Sequence, residues 1–359
     1  MKKTIRAAVV GLGRIGYYFH LPEIKKHEMF EACAVVDVSD ERLKEAKDKF
    51  GTQGYKTMAE MISAEHPDLV VIASPTHLHK EHTIEAMASG CDVFLDKPMA
   101  KNYAEVLEMA EAAERFGKKL MIYQPHRGRP ETHALRQIIK ENIIGKIYMY
   151  KRANVNYLRR SDWQSLQKFG GGMLNNFGAH YVDQALYVLG GDSVAKVKEI
   201  NCMRHKIASL GDADDVAKIL LRTTEDITVD VEINMACAHQ VEPFMLLGEH
   251  GSVLMRVKED GSQVFEAKYF VPSELSELSL SESLAAADRK YSQDQPISWK
   301  TKEYPILPEY DANYYDYCYE YYGEDKAPFV PLSQTVELMR ILEECKNISR
   351  CSYDSSIKI

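Results

Sequence analysis

The chain has 359 residues, a formal net charge of −8 and a hydrophobic fraction of 45%. That length exceeds what one ordinary hydrophobic core supports, so two domains are expected. Proteins that bind nucleic acid over a broad surface usually carry net positive charge, so neither DNA nor RNA is an expected partner. No apolar run reaches the roughly 20 residues that span a bilayer, so the sequence predicts no membrane segment.

The seven cysteines are scattered along the chain, and no two of them form a C-x-x-C pair. An odd, scattered set predicts neither a disulfide framework nor a structural zinc site. We therefore expect reduced thiols, a cytoplasmic protein and no metal.

The first 125 residues alternate short apolar runs with amphipathic stretches. The runs are near-continuously apolar, which is typical of strands buried on both faces of a parallel sheet. They cover residues 5–10, 32–36, 69–73, 93–95 and 120–123. Thr57 with Glu60, and Asn102 with Glu105, resemble capping boxes at helix starts. Residues 1–125 are therefore predicted to form an α/β domain with a doubly wound, Rossmann-type parallel sheet.

The pattern changes after residue 125. Helices are predicted at 131–141, 179–189, 310–322 and 333–348, and residues 271–300 read as a polar surface excursion. Strands are predicted at 146–156, 194–205, 216–222, 227–235, 244–247, 253–257 and 264–270. Residues 126–359 are thus predicted to be an α+β domain with a large, mostly antiparallel open sheet. The second face of that sheet needs cover, which predicts a homodimer or homotetramer.

A glycine-rich motif follows the first apolar run and precedes a helical stretch. Its residues are Gly11, Leu12, Gly13, Arg14, Ile15 and Gly16. In this βαβ context the G-x-G-x-x-G spacing predicts dinucleotide binding. The first glycine permits a tight turn, the second lets the pyrophosphate approach the backbone, and the third allows close helix–strand packing. Free N–H groups at the helix start would bind the phosphates.

Asp37 stands directly after the second apolar run. A carboxylate there can accept hydrogen bonds from ribose hydroxyls and would repel a 2′-phosphate. No lysine or arginine follows until Arg42, so NAD is favoured over NADP. The alternative is that Asp37 merely caps the next helix.

Two further motifs carry candidate reactive groups. Lys97 follows the fourth run, at the sheet edge where such folds bind ligands, and can there reach a nicotinamide ribose and a substrate hydroxyl. Asn176 and His180 follow the triple glycine 170–172 and share a helix face, being four positions apart. Asp183 either orients the imidazole or is a surface acid.

The segment 156–163 precedes the glycine-rich motif and is a candidate wall of the substrate pocket, through Tyr157, Arg160 and Trp163. Its two arginines, Arg159 and Arg160, either hold a carboxylate or phosphate of the substrate or are solvated surface charges.

These elements, in this order, resemble the Gfo/Idh/MocA family, named for glucose–fructose oxidoreductase and inositol dehydrogenase. The resemblance covers nearly the whole chain. Residues 75–79 (PTHLH) are similar to the family's P-(N/T)-x-x-H turn, and residues 96–98 (DKP) to its E-K-P signature. Residues 120–127 occupy the place of the family's fifth strand and of the N-R-R-like segment that follows it. The glycine-rich stretch that ends at His180 resembles the family's C-terminal catalytic motif.

The resemblance implies a Rossmann domain, a C-terminal sheet that mediates dimers or tetramers, and hydride transfer at a sugar or cyclitol carbon. By this match Lys97 is the central catalytic lysine and His180 the acid/base histidine. Further cofactor contacts are implied for Ser74, Pro75, Thr76, His79, Asp96, Lys97, Gln124 and Arg127.

Two departures from the family pattern bear on the reaction. Asn176 stands where inositol-type dehydrogenases carry Asp, and Asn cannot hold a proton although it can both donate and accept hydrogen bonds. Pro125 replaces a polar residue.

The sequence therefore predicts an NAD-dependent oxidoreductase acting on a sugar, sugar acid or cyclitol. One alternative with the same fold is a glycosidase or lyase that recycles NAD. Another is a regulator that senses NAD or sugar, against which the presence of both Lys97 and His180 argues.

Overall fold

The computed structural model describes residues 3–278 and 296–351. These ranges contain a six-stranded parallel sheet and an eight-stranded, mostly antiparallel sheet, with helices packed on both. The predicted fold class is therefore confirmed.

The first sheet has the strand order β3-β2-β1-β4-β5-β6, and all its pairings are parallel. Its strands are Ile5–Val10 (β1), Phe30–Val36 (β2), Gln53–Tyr55 (β3), Leu69–Ile72 (β4), Asp92–Leu95 (β5) and Leu120–Ile122 (β6). The order reverses between β1 and β4, and such a switch point opens a crevice for ligands at the carboxyl ends of the strands. Five of the six strands were predicted; β3 lacks an apolar run, because Gln53-Gly54-Tyr55 is a short edge strand.

Helices α1 to α5 cover the two faces of this sheet. They span Leu21–Lys26, Asp40–Phe50, Met58–Glu65, His79–Ala88 and Tyr103–Phe116. The side chain of Thr57 accepts a hydrogen bond from the Glu60 N–H at 3.3 Å, and that of Asn102 accepts one from the Glu105 N–H at 2.9 Å. Both predicted N-caps are thus confirmed.

The second sheet has the order β14-β13-β12-β11-β7-β10-β9-β8. Its strands are Ile147–Val155 (β7), Val197–His205 (β8), Val216–Thr223 (β9), Thr228–Asn234 (β10), Phe244–Gly248 (β11), Gly251–Val257 (β12), Gln263–Tyr269 (β13) and Lys300–Pro305 (β14). The pairing of β7 with β10 is parallel and the others are antiparallel. Strand β14 was not predicted, because its residues are mostly charged or polar and form no apolar run.

Part of the predicted excursion at 271–300 lies outside the described residues. Its described ends carry a short turn at Pro272–Glu274 and the first residue of β14.

One face of the second sheet packs on helices α6 (Pro130–Glu141), α7 (Ala179–Leu189) and α9 (Leu332–Ile348). Strand β10 shows the alternation that this requires: Val229, Val231 and Ile233 are fully buried, and the residues between them are partly exposed. The outward face carries charged residues, among them Lys218, whose amino group lies 2.6 Å from the Asp230 carboxylate.

The last two helices return to the first sheet. Helix α8 (Tyr314–Glu324) packs on β1, and α9 packs on α5 and β6. Helix α8 begins four positions later than predicted, because Pro308–Tyr310 forms a separate turn and the Asn313 side chain caps the helix by accepting from the Tyr315 N–H. None of the helices in the described ranges is long and apolar enough to cross a membrane.

Candidate active site

The loop after β1 requires glycine at the first and third positions of its motif. Gly11 has a φ of +94°, and a Cβ added there would lie 2.6 Å from the Ser74 backbone nitrogen. A Cβ on Gly16 would lie 1.9 Å from the Gly11 carbonyl oxygen. At Gly13, by contrast, an added Cβ would meet no described atom within 4 Å, so the backbone there borders open space. This arrangement fits a backbone cradle for a pyrophosphate.

Arg14 and Ile15 open the helix that follows, whose next residues Gly16–His20 form a widened π-type turn. Arg14 is exposed.

Asp37 joins this loop to the end of β2. One carboxylate oxygen accepts from the Leu12 N–H at 2.8 Å and the other from the Ser39 N–H at 2.9 Å. Helix α2 is capped by the Ser39 side chain, which accepts from the Arg42 N–H at 3.4 Å, so Asp37 is not the cap. The oxygen that accepts from Leu12 also lies 3.5 Å from the Arg42 guanidinium. The other carboxylate oxygen can accept a further hydrogen bond, so the residue fits a ribose-binding role.

His79 joins the turn after β4 to the loop after β5. Its ring nitrogens lie 2.8 Å from the Ser74 carbonyl oxygen and 2.9 Å from that of Pro98. Burial lowers the pKa of His79 to about 4, so at neutral pH the ring donates to one carbonyl at a time. Thr76 is buried in the same turn and lies under Gly170, where a Cβ would come within 3.0 Å of its methyl group. Pro75 lies between Ser74 and Thr76 and is half-buried.

The amino group of Lys97 is held by Asn176. Its Nζ donates to the Asn176 Oδ1 at 2.8 Å and lies 3.4 Å from the Asn176 backbone oxygen. Burial lowers the pKa of Lys97 to about 8; the neighbouring Asp96 opposes this effect, and the charges of Arg14 and Arg160 add to it. The geometry thus joins two residues that are far apart in sequence and that were both predicted for the site.

Asp96 is itself buried and accepts from the Lys97 N–H at 2.8 Å. Burial raises the pKa of its carboxyl to about 6.

The triple glycine lets the chain pack closely where it approaches Asn176. A Cβ on Gly171 would lie 2.3 Å from the Gln164 carbonyl oxygen, and one on Gly172 would lie 2.7 Å from an Asp214 carboxylate oxygen. Asn176 also donates to the Gln164 side-chain oxygen at 3.4 Å. Gln164 is thus a neighbour of the site that sequence reasoning missed, since nothing in its local pattern marks it.

His180 lies one helical turn after Asn176 and is 7% exposed. Its Nδ1 is buried, with no hydrogen-bond partner in the described part of the chain. Burial, together with the charge of Lys97 and the proximity of His126, lowers its pKa well below the usual value. The imidazole is therefore neutral at physiological pH.

A second imidazole, that of His126, was not among the predicted residues. The centroids of the His126 and His180 rings are 4.6 Å apart, and burial lowers the pKa of His126 to about 3. The signal that could have found it is its position just past the carboxyl end of β6, in the segment that resembles the family's N-R-R motif.

Asp183 neither orients His180 nor lies at the surface. It is buried and accepts two hydrogen bonds from Arg127, from Nε at 2.8 Å and from Nη2 at 2.6 Å. The remaining guanidinium nitrogen of Arg127, Nη1, donates to the Gln334 side-chain oxygen at 2.5 Å. Arg127, predicted as a cofactor ligand, thus has its guanidinium held within the protein.

The remaining predicted residues differ in how far their side chains are buried. The Gln124 Oε1 is buried without a partner among the described residues, near the end of β6. Arg160 is largely buried, whereas Arg159 and Tyr157 are exposed. Trp163 begins a short turn at Trp163–Ser165 and is half-buried.

Comparison with known proteins identifies the family. Residues 5–124 match the oxidoreductase family with an NAD-binding Rossmann fold, GFO_IDH_MocA, and residues 132–254 match the GFO/IDH/MocA C-terminal domain.

Two curated relatives with different named activities are similar to this chain. The D-glucoside 3-dehydrogenase of Escherichia coli is 30% identical over 54% of this chain and 56% of its own length. The myo-inositol 2-dehydrogenase of Thermotoga maritima is 27% identical over 60% of this chain and 64% of its own length. The chain thus spans less than two thirds of either protein.

The fold is also found in solved structures. A WlbA dehydrogenase from Bordetella pertussis, solved in complex with NADH and UDP-GlcNAcA, superposes with a TM-score of 0.74 at 22% identity over 96% of both chains. An NAD-binding protein from Listeria innocua superposes with a TM-score of 0.77 at 19% identity over 97% of both chains. The resemblance read from the sequence motifs is confirmed: the chain belongs to the Gfo/Idh/MocA family of NAD-binding oxidoreductases.

Proposed function

We propose that this protein transfers a hydride between NAD and a hydroxyl or carbonyl carbon of a sugar, sugar acid or cyclitol. The observation that carries the proposal is the contact of the Lys97 amino group with Asn176, one helical turn from His180, at the carboxyl edge of the parallel sheet. The names of the two curated relatives, which act on a glucoside and on an inositol, support the substrate class.

The residues that would hold NAD are the glycine loop and Asp37. Gly11 and Gly16 keep the loop close to the sheet, Gly13 leaves its backbone open, and Asp37 offers carboxylate oxygens to a ribose. When bound, NAD supplies the hydride acceptor or donor of the reaction.

Lys97 is the residue to which we assign proton transfer. An ordinary lysine has a pKa of about 10.4 and is a poor base at neutral pH. At a pKa of about 8, an appreciable share of Lys97 is unprotonated near neutrality and can take the proton of a substrate hydroxyl. In the reverse direction the ammonium form returns that proton to the oxygen.

His180 has a different role in this assignment. As a neutral imidazole with an unpartnered ring nitrogen, it can hydrogen-bond a substrate hydroxyl and fix its orientation. Its lowered pKa makes it a weaker proton acceptor than Lys97.

The function is tested by a screen of aldoses, ketoses, sugar acids and cyclitols that follows NADH absorbance in both directions. We expect at least one class to change NADH, and Lys97→Met to lower kcat at least ~10²-fold, because the proton acceptor is lost. NAD affinity, measured by fluorescence titration, should stay nearly constant, and His180→Ala should cause a smaller loss that falls partly on KM.

Two results would contradict this assignment. NAD that is recycled without net NADH would favour the glycosidase or lyase alternative. If Lys97→Met kept its activity while His180→Ala lost it, the two roles would be exchanged.

Asn176→Asp should move the pH profile of the oxidation. A carboxylate 2.8 Å from Nζ stabilises the ammonium form and raises the pKa of Lys97 above about 8. Because the unprotonated lysine is the active form, kcat at pH 7 should fall and its rise should shift to higher pH. Asn201→Asp, at an exposed position of β8, is the matched control and should leave the profile in place. An unchanged profile in Asn176→Asp would show that Lys97 is not the titrating base.

Cofactor choice depends on the charge of Asp37 in this proposal. The unmodified protein should prefer NAD, because the carboxylate repels a 2′-phosphate. Asp37→Asn should narrow the ratio of the NADP and NAD dissociation constants about tenfold, a difference of ~1.4 kcal/mol. Asp40→Asn removes an exposed carboxylate nearby and is the control. Equal affinities for the two cofactors before mutation would refute the selecting role.

We also propose a homodimer or homotetramer formed through the outward face of the second sheet. That face mixes an ion pair between Lys218 and Asp230 with the half-buried Leu220 and Leu254. Light scattering at micromolar concentration should give a mass of two or four chains. A mass of one chain throughout would exclude this assembly.

A cytoplasmic location is proposed from the cysteines. All seven are unpaired thiols, and five of them are buried. Reduced thiols are typical of that compartment.

A further inference from the structure

Arg160 carries a guanidinium group that the protein leaves incompletely paired. Its side chain is 19% exposed, and its Nη1 is buried without a hydrogen-bond partner among the residues described. The nearest ion-pair partner is Asp162, whose carboxylate lies 3.8 Å from Nε, beyond hydrogen-bond distance, and is 55% exposed. Polar groups removed from water normally have a hydrogen-bond partner, and the Nη1 group of Arg160 has none among the described residues.

The backbone of Arg160 is fixed from two directions. Its N–H donates to the Ser209 hydroxyl at 3.2 Å, and its carbonyl accepts from the Leu210 N–H at 2.8 Å. Ser209 is held in turn by Asp215, which is buried and accepts from three consecutive N–H groups, those of residues 207–209. The position of Arg160 is therefore built into the fold.

A chain of contacts connects Arg160 to the reactive lysine. Asp162 accepts from the Gln164 N–H at 2.9 Å, and the Gln164 side chain accepts from Asn176, which holds Lys97. The charge of Arg160 also contributes, after burial, to the lowered pKa of Lys97. The two cations therefore belong to one region of the protein.

A third cation, Arg152, lies near the two histidines. Its guanidinium stacks on the rings of Tyr181 and Phe244, at 4.2 and 4.0 Å from their centroids, and it donates only to backbone carbonyls. No carboxylate in the described ranges forms an ion pair with it, and its charge contributes to the lowered pKa values of His126 and His180.

The site therefore has more positive than negative charge. Lys97 and Arg152 lie near the two neutral imidazoles, and Arg160 lies near Lys97. Against these three cations stands the carboxylate of Asp96, which accepts from the Lys97 N–H and, with a pKa raised by burial to about 6, carries one negative charge at neutral pH. Cations held in a protein interior need an anionic partner. The missing negative charge would then come with the ligand.

We propose that the substrate is an acidic sugar whose carboxylate or phosphate is bound by Arg160. The planar guanidinium presents parallel N–H donors that match either group, and a charge-assisted pair of this kind both strengthens and orients binding. This inference rests on the proposed function and narrows it: neutral sugars and cyclitols are poor substrates.

The test compares a hexose with the corresponding hexuronic acid and hexose 6-phosphate. We expect kcat/KM to be higher for at least one acidic sugar than for the hexose, and the acidic sugar that is preferred distinguishes carboxylate from phosphate. Arg160→Met should lower the ratio of kcat/KM for that acid over the hexose about 10²-fold, and Arg160→Lys should restore part of it. Arg159→Met removes an exposed arginine next in sequence and should leave the ratio unchanged.

Three results would overturn the inference. One is a hexose or cyclitol that is used as efficiently as the acids. Another is an unchanged ratio in Arg160→Met. The third is a loss of NAD affinity in Arg160→Met, by fluorescence titration, that accounts for the whole effect, since it would assign Arg160 to the cofactor.

A separate measurement distinguishes this inference from the proposed function. If no sugar of any kind changes NADH, the proposed function fails. Calorimetric titration of the hexuronic acid and the hexose 6-phosphate into the unmodified protein and Arg160→Met then tests the anion contact alone. Binding of either acid that weakens at least tenfold in Arg160→Met supports the contact, and the absence of such weakening overturns it.

Discussion

The buried ion pair of Arg127 and Asp183 is the interaction on which the geometry of the site depends. Arg127 follows β6 of the parallel sheet, and Asp183 lies on α7, the helix that carries His180. The pair therefore fixes the helix against the edge of the sheet from which Lys97 projects. Two charges removed from water repay their desolvation only with close geometry and further hydrogen bonds, which the two-fold contact and Gln334 provide. Loss of either partner would leave an uncompensated charge in the interior and release the helix.

Burial of the site then determines the protonation states of its reactive side chains. It lowers the pKa of Lys97 to about 8 and keeps His180 neutral, and both effects depend on the exclusion of water. Asn176 complements this environment because it accepts a hydrogen bond from the amino group without adding a negative charge that would stabilise the ammonium form. The departure from the inositol-type pattern is therefore consistent with a lysine base.

Local signals in the sequence predicted most of the fold and the central residues of the site. Apolar runs located five strands of the first sheet, and the glycine motif, Lys97 and Asn176 were found from their places after strands and on a helix face. What could not be predicted depends on contacts between distant positions. The partner of Asp183 is 56 residues away, and the ring beside His180 is at His126. Likewise, Arg159 and Arg160 carry the same side chain, and nothing local in the sequence distinguishes the largely buried Arg160 from the exposed Arg159.

The return of α8 to the first sheet has a practical consequence for dissecting the protein. Tyr314, Tyr315 and Cys318 pack in one hydrophobic cluster with Val9 and Phe94, so residues near the carboxyl end cover part of the nucleotide-binding half. A fragment that stopped at the end of β6 would leave this apolar surface open to water. Self-association of such a truncated piece would then reflect the missing cover and not an intrinsic instability of its strands. A soluble minimal fragment would have to carry α8 on a linker after β6.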